Sequence, residues 1–284
     1  LELPQWRAFV DANPDGNIFH TPEMFEVFSQ AARHRPTCWA VVDESSCPLA
    51  LLTPVEVSVL ARPFHPLSSR AVAYGGVLCE PSARGRQALT TLMQAYSRHP
   101  HATAIFTELR NQTDVADLQP ILESAGYHYE GHLNYLIDLT QSEETLWRRI
   151  NRSGRQGIRA AEIKGVTVIE GTSEDHVDEG YEVLRGIYAR TRVPLADRSL
   201  FMAAFRLLTP RGMLKLLLAR YEGRTIGAVF DLHYKDRIFG WYGGADRTFH
   251  GLAANELLIW HIIRRGQEQG MVTFDFGGAG KPGV

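Results

Sequence analysis

The chain has 284 residues, of which 44% are hydrophobic and 22% charged, and its formal net charge at neutral pH is −2. This length suggests two domains, each able to bury an ordinary hydrophobic core. The small net charge argues against a broadly basic nucleic-acid-binding protein, so any nucleic-acid contact must be local. The three cysteines form no disulfide or metal-binding pattern, which suits a reducing cytoplasm, and no apolar run has the roughly 18 residues that a membrane span needs.

The first half of the chain mixes predicted helices and strands. Thr21, Pro22 and Glu23 form a typical helix start, with a capping residue, a proline at the first helical position and an acid in the first turn. The helix is predicted to run to about Arg33. The later predictions for this half are strands at 38–43, 48–59, 70–77 and 102–110, helices at 82–98 and 114–125, and an extended segment at 127–139.

The second half continues the same mixture. A helix is predicted from about Ser142, which is its capping residue, with Glu144 and Thr145 in the first turn. The later predictions are helices at 174–191, 199–208 and 253–269, and strands at 166–170, 214–221, 225–234, 237–245 and 271–276.

The two halves share a repeated pattern. Tyr74-Gly-Gly ends one strand, a helix follows, and the next strand reaches Glu108; Tyr242-Gly-Gly, a helix and a strand reaching Asp275 repeat this order. The separations are 34 and 33 residues, which favours duplication of one α/β unit, although any two α/β segments can look alike over one unit. We therefore expect two tandem domains, at 1–135 and 136–284.

Four arginines follow Ser142 at helical spacing. At about 100° per residue, positions i, i+4, i+7 and i+11 lie on one face of a helix, where four guanidinium groups could bind phosphates. The alternative is a solvated face that pairs with acids such as Glu143 and Glu162. The arginines are Arg148, Arg152, Arg155 and Arg159.

Short runs across nearly the whole chain carry a family resemblance. They are Phe19-His-Thr-Pro-Glu-Met24, Arg155-Gln-Gly-Ile-Arg159, Trp241-Tyr-Gly-Gly-Ala245, Asn255-Glu-Leu-Leu258 and Phe274-Asp-Phe-Gly-Gly278. These runs resemble the FemAB branch of the GNAT superfamily. The resemblance implies an α/β (α+β) fold of two tandem GNAT-like domains, each with a mixed central sheet flanked by helices, the first on the acceptor side and the second truncated at its C terminus. The best-known members transfer amino acids from aminoacyl-tRNA to the amine of a peptidoglycan precursor.

The same resemblance implies a donor-binding loop in the second half. A GNAT domain holds its donor's pyrophosphate on backbone N–H groups at a helix amino end, with the signature Gln/Arg-x-x-Gly-x-Gly/Ala. Here the loop has Thr248, Gly251 and Ala253, so it keeps the central glycine and lacks the leading Gln/Arg, and a plain helix-initiating turn is the alternative. The predicted donor-binding residues are Gly243, Gly244, Gly251, Ala253 and Asn255.

The predicted reaction needs a group that accepts the amine proton. Asp275 alternates with two phenylalanines and ends the last strand, where a base or amine anchor belongs, and Glu108 is its counterpart in the first half. Tyr242 is a candidate proton donor. The alternatives are a carboxylate that caps the following glycine loop and a core tyrosine. The predicted substrate- and phosphate-binding residues are Arg152, Arg155, Arg159, Glu108 and Lys281.

Three functions remain open at this point. The first is a cytoplasmic aminoacyl- or acyltransferase acting on a primary amine, with an aminoacyl-tRNA-like donor, local tRNA contact and a diphosphate-linked cell-envelope acceptor. The second is an N-acetyltransferase that uses acetyl-CoA, and the third is a non-catalytic ligand-binding protein. We expect no metal site, no permanently bound cofactor and no covalent acyl-enzyme, because no metal-binding spacing and no nucleophile motif is found in the sequence.

Overall fold

The computed structural model describes residues 1–58, 69–99 and 104–278. The chain divides into two compact units, Leu1–Glu130 and Gly131–Val284. Each unit combines β-sheet with helices that pack on it, as expected for a mixed α/β arrangement.

Unit 1 carries two sheets. Its helices are α1 (Leu3–Ala12), α2 (Pro22–Gln30), α3 (Ala83–Arg98) and α4 (Gln119–Ser124). Its strands are β1 (His34–Pro36), β2 (Trp39–Val42), β3 (Pro48–Leu52), β4 (Val55–Ser58), β5 (Ser69–Ala73), β6 (Val77–Cys79) and β7 (Thr107–Leu109). One sheet has the order β1-β4-β5-β7 and the other β2-β3-β6. The predicted start of α2 is confirmed, since the Thr21 hydroxyl accepts a hydrogen bond from the Met24 N–H.

The strand predicted at 48–59 is wrong as a single element. Its described part forms β3 and β4, which belong to different sheets and are separated by Thr53 and Pro54. Proline has no N–H to donate to a ladder and also restricts the residue before it, so the chain leaves one sheet here and enters the other. Similarly, β5 ends before Gly76, whose φ of +76° forms a turn.

Unit 2 is built on one six-stranded sheet of order β8-β13-β12-β11-β10-β9. The strands are β8 (Leu136–Asp138), β9 (Thr167–Glu170), β10 (Leu214–Tyr221), β11 (Arg224–Tyr234), β12 (Arg237–Ala245) and β13 (Thr273–Asp275). The helices are α5 (Glu143–Arg149), α6 (Arg152–Ile163), α7 (Glu174–Thr191), α8 (Arg198–Leu208) and α9 (Ala254–Glu268).

Both units contain a parallel strand pair joined by a helix. In unit 1 α3 connects β5 to β7, and Val72 pairs with Glu108; in unit 2 α9 connects β12 to β13, and Phe239 pairs with Asp275. The paired residues are 36 positions apart in both units. The two units differ at the Tyr-Gly-Gly run, which forms a turn before β6 in unit 1 and lies within β12 in unit 2.

Helix α9 forms the core of unit 2 by packing closely on the sheet. Leu258, Ile262 and Ile263 are buried between the helix and the strands. Gly266 lies where the helix comes nearest, because a Cβ added there would be 2.8 Å from Ile238 Cδ1 and 2.9 Å from Leu139 Cδ1. The glycine therefore sets the distance between the helix and β12.

We predict that Gly266→Ala destabilises the protein by about 1–3 kcal/mol, because the new methyl group overpacks this contact. Gly186→Ala is the matched control. Gly186 lies inside α7 with nothing within 4 Å of an added Cβ, so alanine should stabilise the helix by up to about 1 kcal/mol. Urea unfolding of both variants tests this, and equal effects at the two positions would contradict it.

Candidate functional site

The sheet of unit 2 opens between β12 and β13. The two strands pair in parallel only at three positions, of which the last joins Phe239 and Asp275. β12 continues to Ala245, and its residues 240–245 have no strand partner on the β13 side within the described chain. We call this end of the parallel ladder, where β12 continues without β13 as a partner, the gap.

A β-bulge lies at the edge of this gap. On β11, Phe230 is opposite Tyr242 while the next residue, Asp231, is opposite Gly240. Trp241 is therefore the extra residue of β12 and has no ladder partner on β11. A bulge disrupts the ladder locally and increases the strand twist, and bulges are over-represented next to active sites. The bulge also explains why the second Tyr-Gly-Gly run lies one residue closer to its acid than the first.

Aromatic rings surround the bulge. The Tyr242 ring lies 4.8 Å from that of Phe201, 5.1 Å from Trp241 and 6.0 Å from Tyr188, measured between centroids. Tyr242 and Trp241 are half-buried. Burial raises the pKa of Tyr188. Tyr242 thus combines a packed ring, as in the core alternative, with a position directly after the bulge.

Asp275 is buried at the point where the strands separate. It is 4% exposed, and its Oδ1 accepts hydrogen bonds from Asn134 Nδ2 and from the Gly277 N–H, both at 2.7 Å. Asn134 Oδ1 in turn accepts from the Gly278 N–H at 3.0 Å. One oxygen of Asp275 therefore holds the glycine loop after β13, as expected for a carboxylate that caps this loop.

Asn134 was not among the residues predicted from the sequence. It lies 141 positions before its partner in the chain, just ahead of β8, and belongs to no motif. Only the antiparallel pairing of β8 with β13, in which Leu136 lies opposite Asp275, brings the two side chains together. A single sequence has no local signal for such a contact.

The predicted donor loop is a compact turn. Residues Arg247–Leu252 form a 3-10 helix, and the Thr248 N–H donates to the Asp246 side chain at 2.9 Å. The Phe249 N–H donates to the Asp246 carbonyl at 3.0 Å, and the Ala253 N–H to the His250 carbonyl at 3.4 Å. The N–H groups of Thr248, Phe249 and Ala253 are therefore occupied within the loop.

Helix α6 packs against this loop. An added Cβ at Gly157 would lie 3.1 Å from Ala253 Cβ, and Lys164 Nζ donates to the Gly251 carbonyl at 2.9 Å. Gly251 itself is exposed, as are Asn255 and Glu256 in the first turn of α9. The carboxylate of Glu256 adds negative charge beside the amino end of α9, which disfavours a bound phosphate there.

The arginines do not share one helix, so this part of the prediction is wrong. α5 ends at Arg149, and α6 begins at Arg152. Ile150 and Asn151 between them have extended backbone, with ψ values of 133° and 161°. Asn151 caps α6 by accepting from the Gly154 N–H at 2.7 Å, a local signal that the sequence contained.

Arg155 and Arg159 have different surroundings. Arg155 Nη1 donates to the Arg148 carbonyl at 2.9 Å and also to the Ile150 carbonyl, so its guanidinium caps the C-terminal end of α5. Arg159 is exposed, and its guanidinium lies over the Trp147 ring at 5.4 Å. Arg152 is exposed as well, and no ion pair of it is found among the described residues.

In unit 1 the corresponding positions are occupied by the protein's own side chains. Glu108 forms an ion pair with Arg110 at 2.8 Å and lies 3.6 Å from Arg70. An added Cβ on Gly76 would lie 2.1 Å from Asn111 Oδ1, which fills the space beside the turn. The predicted role of Glu108 stays a prediction, and Lys281 lies outside the described residues.

Two kinds of feature are absent from the part of the chain that the structure describes. Within 1–58, 69–99 and 104–278, no group of three or more His, Cys, Asp and Glu side chains could hold a metal ion. No helix in that same part of the chain is both long and apolar enough to cross a bilayer.

Comparison with known proteins identifies the domain class. Residues 147–282 match the family of the acetyltransferase (GNAT) domain. This match confirms the prediction of an acyltransferase domain. No curated protein matches the chain.

Solved structures agree over the whole chain. FemX superposes with a TM-score of 0.72 at 14% identity, over 100% of this chain and 89% of that one. The C-terminal domain of a putative lysylphosphatidylglycerol synthetase from Agrobacterium fabrum gives 0.60 at 12% identity, covering 98% and 79%. A tandem GNAT protein from the clavulanic acid biosynthesis pathway gives 0.54 at 11% identity, covering 99% and 87%. The chain therefore has a FemAB-like tandem GNAT fold.

The two arginines should respond differently to truncation. Arg155→Ala removes the contacts with the carbonyl groups of α5, and we expect a loss of about 1–2 kcal/mol in the free energy of unfolding. Arg159→Ala is the matched control on the same helix and should cost no more than about 1 kcal/mol, the value of an exposed cation–π contact. Denaturant unfolding measures the loss of stability in both variants. An Arg155→Ala protein as stable as the wild type would contradict the capping role.

Proposed function

We propose that the chain transfers an activated acyl or aminoacyl group to a primary amine at the opening between β12 and β13. The observation that carries this is the bulge at Trp241, which lies where the parallel ladder stops and beside Asp275. A backbone N–H at this point can stabilise the oxyanion that forms when an amine attacks an activated carbonyl. The match of this unit to the acetyltransferase (GNAT) domain supports the assignment.

The reaction proceeds by direct attack of the amine on the donor's acyl carbon. The protein holds donor and acceptor in the geometry of attack and surrounds the developing negative charge with N–H groups. Asp275 anchors the amine and takes up its proton through the oxygen that is not held by Asn134 and Gly277. Tyr242 lies next to the bulge and donates a proton to the leaving group.

Aminoacyl-tRNA is the proposed donor class. Three N–H groups of the loop that contains Gly251 and Ala253 are bonded within the loop, α6 packs against it, and Glu256 adds negative charge. These features disfavour a pyrophosphate of the CoA kind at this loop. A tRNA ester needs only its acceptor end at the open strands, with local tRNA contacts, and this donor class places the reaction in the cytoplasm.

The exposed arginines provide a phosphate contact. Arg152 and Arg159 lie on α6, the helix that packs beside the donor loop, and Arg149 precedes it. Such cations suit either the backbone of a tRNA acceptor end or the diphosphate of a cell-envelope precursor that bears the amine. The resemblance to FemX and to the synthetase of lysylphosphatidylglycerol in fold supports an envelope acceptor, with a peptidoglycan precursor as our first choice.

Thermal-shift measurements test the donor. A ligand that binds the folded state raises the melting temperature, by an amount that corresponds to about 2.7 kcal/mol at 100 times its dissociation constant. We expect a shift with aminoacyl-tRNA and with UDP-linked peptidoglycan precursors, and none with acetyl-CoA. A shift with acetyl-CoA followed by acetyl transfer would instead establish the N-acetyltransferase alternative, and binding without transfer of any group would establish the non-catalytic one.

Asp275→Asn tests the chemistry. We expect kcat to fall on the order of 10²-fold, the range for a lost general base, while donor affinity is retained. Asp175→Asn is the control, because Asp175 is an exposed acid of α7 remote in sequence from the strand opening. Single-turnover kinetics separate the effect on the rate of transfer from the effect on donor affinity. Full activity of Asp275→Asn would show that Asp275 only holds the glycine loop, and a trapped acyl-enzyme would exclude direct attack.

A further inference from the structure

A small cavity lies on the opposite face of the same sheet, against the C-terminal half of α9. Its volume is about 20 Å³, enough for a water molecule. The polar side chains that line it are Glu170, Lys215, Asp231, His233, Arg265 and Gln269. None of them belongs to the proposed transfer site.

Asp231 is the unusual member of this group. It is 1% exposed, and neither carboxyl oxygen has a hydrogen-bond partner among the described residues. Burial raises the pKa of Asp231 well above its ordinary value. A buried carboxylate without a partner is costly, so this arrangement favours the protonated, neutral carboxyl group.

The strand register places a cation directly opposite. Lys215 on β10 pairs with Asp231 on β11, so both side chains project on one face about 5 Å apart at their Cβ atoms. Lys215 nevertheless forms its ion pair with Glu170 on β9, at 2.7 Å, and Arg265 supports Glu170 at 3.4 Å. Lys215 thus has two acids within reach on neighbouring strands and binds one of them.

We propose that Asp231, Lys215 and Glu170 form a proton-linked latch in which Lys215 changes partner. When Asp231 is protonated, Lys215 bridges β10 to β9 through Glu170. When Asp231 releases its proton to water, the Lys215 ammonium group moves to the Asp231 carboxylate and Glu170 keeps only Arg265. The ion pair of Lys215 with Glu170 is exchanged for one with Asp231, the only covalent bond broken is the Asp231 O–H, and all three side chains line the same cavity.

Among the titratable groups around Asp231, Lys215 is the cation that can pair with the Asp231 carboxylate. Arg265 on α9 is engaged with Glu170 and lies 3.9 Å from Glu268. Burial and the charge of Lys215 lower the pKa of His233 to about 4, so His233 is neutral over the relevant range. The pKa of His261 on α9 is also lowered, by burial and by Arg265. On β12 the residue opposite Asp231 is Gly240, which has no side chain.

The position of the latch connects it to the bulge. Asp231 pairs with Gly240, and Trp241 is the next residue of β12. A change in the side chain of Asp231 therefore occurs on the strand next to the bulge that the proposed reaction uses. This regulatory consequence rests on the proposed function, whereas the exchange of partners does not.

A double-mutant cycle tests the latch on the full chain. Urea unfolding is measured at about pH 5 and about pH 9, which lie on either side of neutrality and below the ordinary pKa of lysine. The four proteins are the wild type, Asp231→Asn, Lys215→Met and the double variant. The coupling factor between the two residues should be close to 1 at the lower pH and about tenfold in the unfolding equilibrium constant at the higher pH. In the cycle of Glu170→Gln and Lys215→Met, the coupling factor should be larger at the lower pH than at the higher pH.

The sign of the pH dependence is a second readout. The folded state holds the Asp231 proton more tightly than the unfolded state, so wild-type stability falls as the pH rises between the two pKa values. Asp231→Asn should remove this loss. If Asp231→Asn fails to fold, the carboxyl carbon of Asp231 can be followed by NMR in the wild type. A coupling factor of 1 at both pH values, or ionisation of Asp231 below about pH 5, overturns the latch without bearing on acyl transfer.

Discussion

The parallel ladder between β12 and β13 stops after three residue pairs, and the proposed site depends on where it stops. α9 must carry the chain from the end of β12 back to the start of β13, and it can do so only by packing its apolar side on the sheet. β12 extends beyond the ladder to Ala245, whereas β13 ends at Asp275. Backbone groups of β12 and the buried carboxylate of Asp275 therefore lie together at the end of the ladder.

The structural role of Asp275 bears on the catalytic role that we propose for it. Its Oδ1 is held by Asn134 and Gly277, so the carboxylate has a defined orientation. A proton acceptor in a transfer reaction needs this kind of fixed geometry, because a misplaced base loses much of its effect. The structural and catalytic interpretations of Asp275 are therefore compatible.

Arg155 illustrates the opposite case. Its position in the family-like run Arg155-Gln-Gly-Ile-Arg159 favours a substrate contact, yet its guanidinium lies on carbonyl groups at the end of α5. Those carbonyls are free only because the helix breaks at Ile150 and Asn151. Arg152 and Arg159 of the same helix are exposed.

Sequence alone determined the elements whose signals are local. The bounds of α7, β10 and β12 match the predicted ranges, because hydrophobic periodicity, capping residues and glycine turns act within a few residues. The tandem GNAT fold was also accessible, through runs distributed along the whole chain. The tertiary structure alone decided which residues meet: Asn134 with Asp275, Lys215 opposite Asp231, and Trp241 as the bulged residue. These contacts depend on strand register, and register is set by the packing of the complete sheet, which no short stretch of sequence encodes.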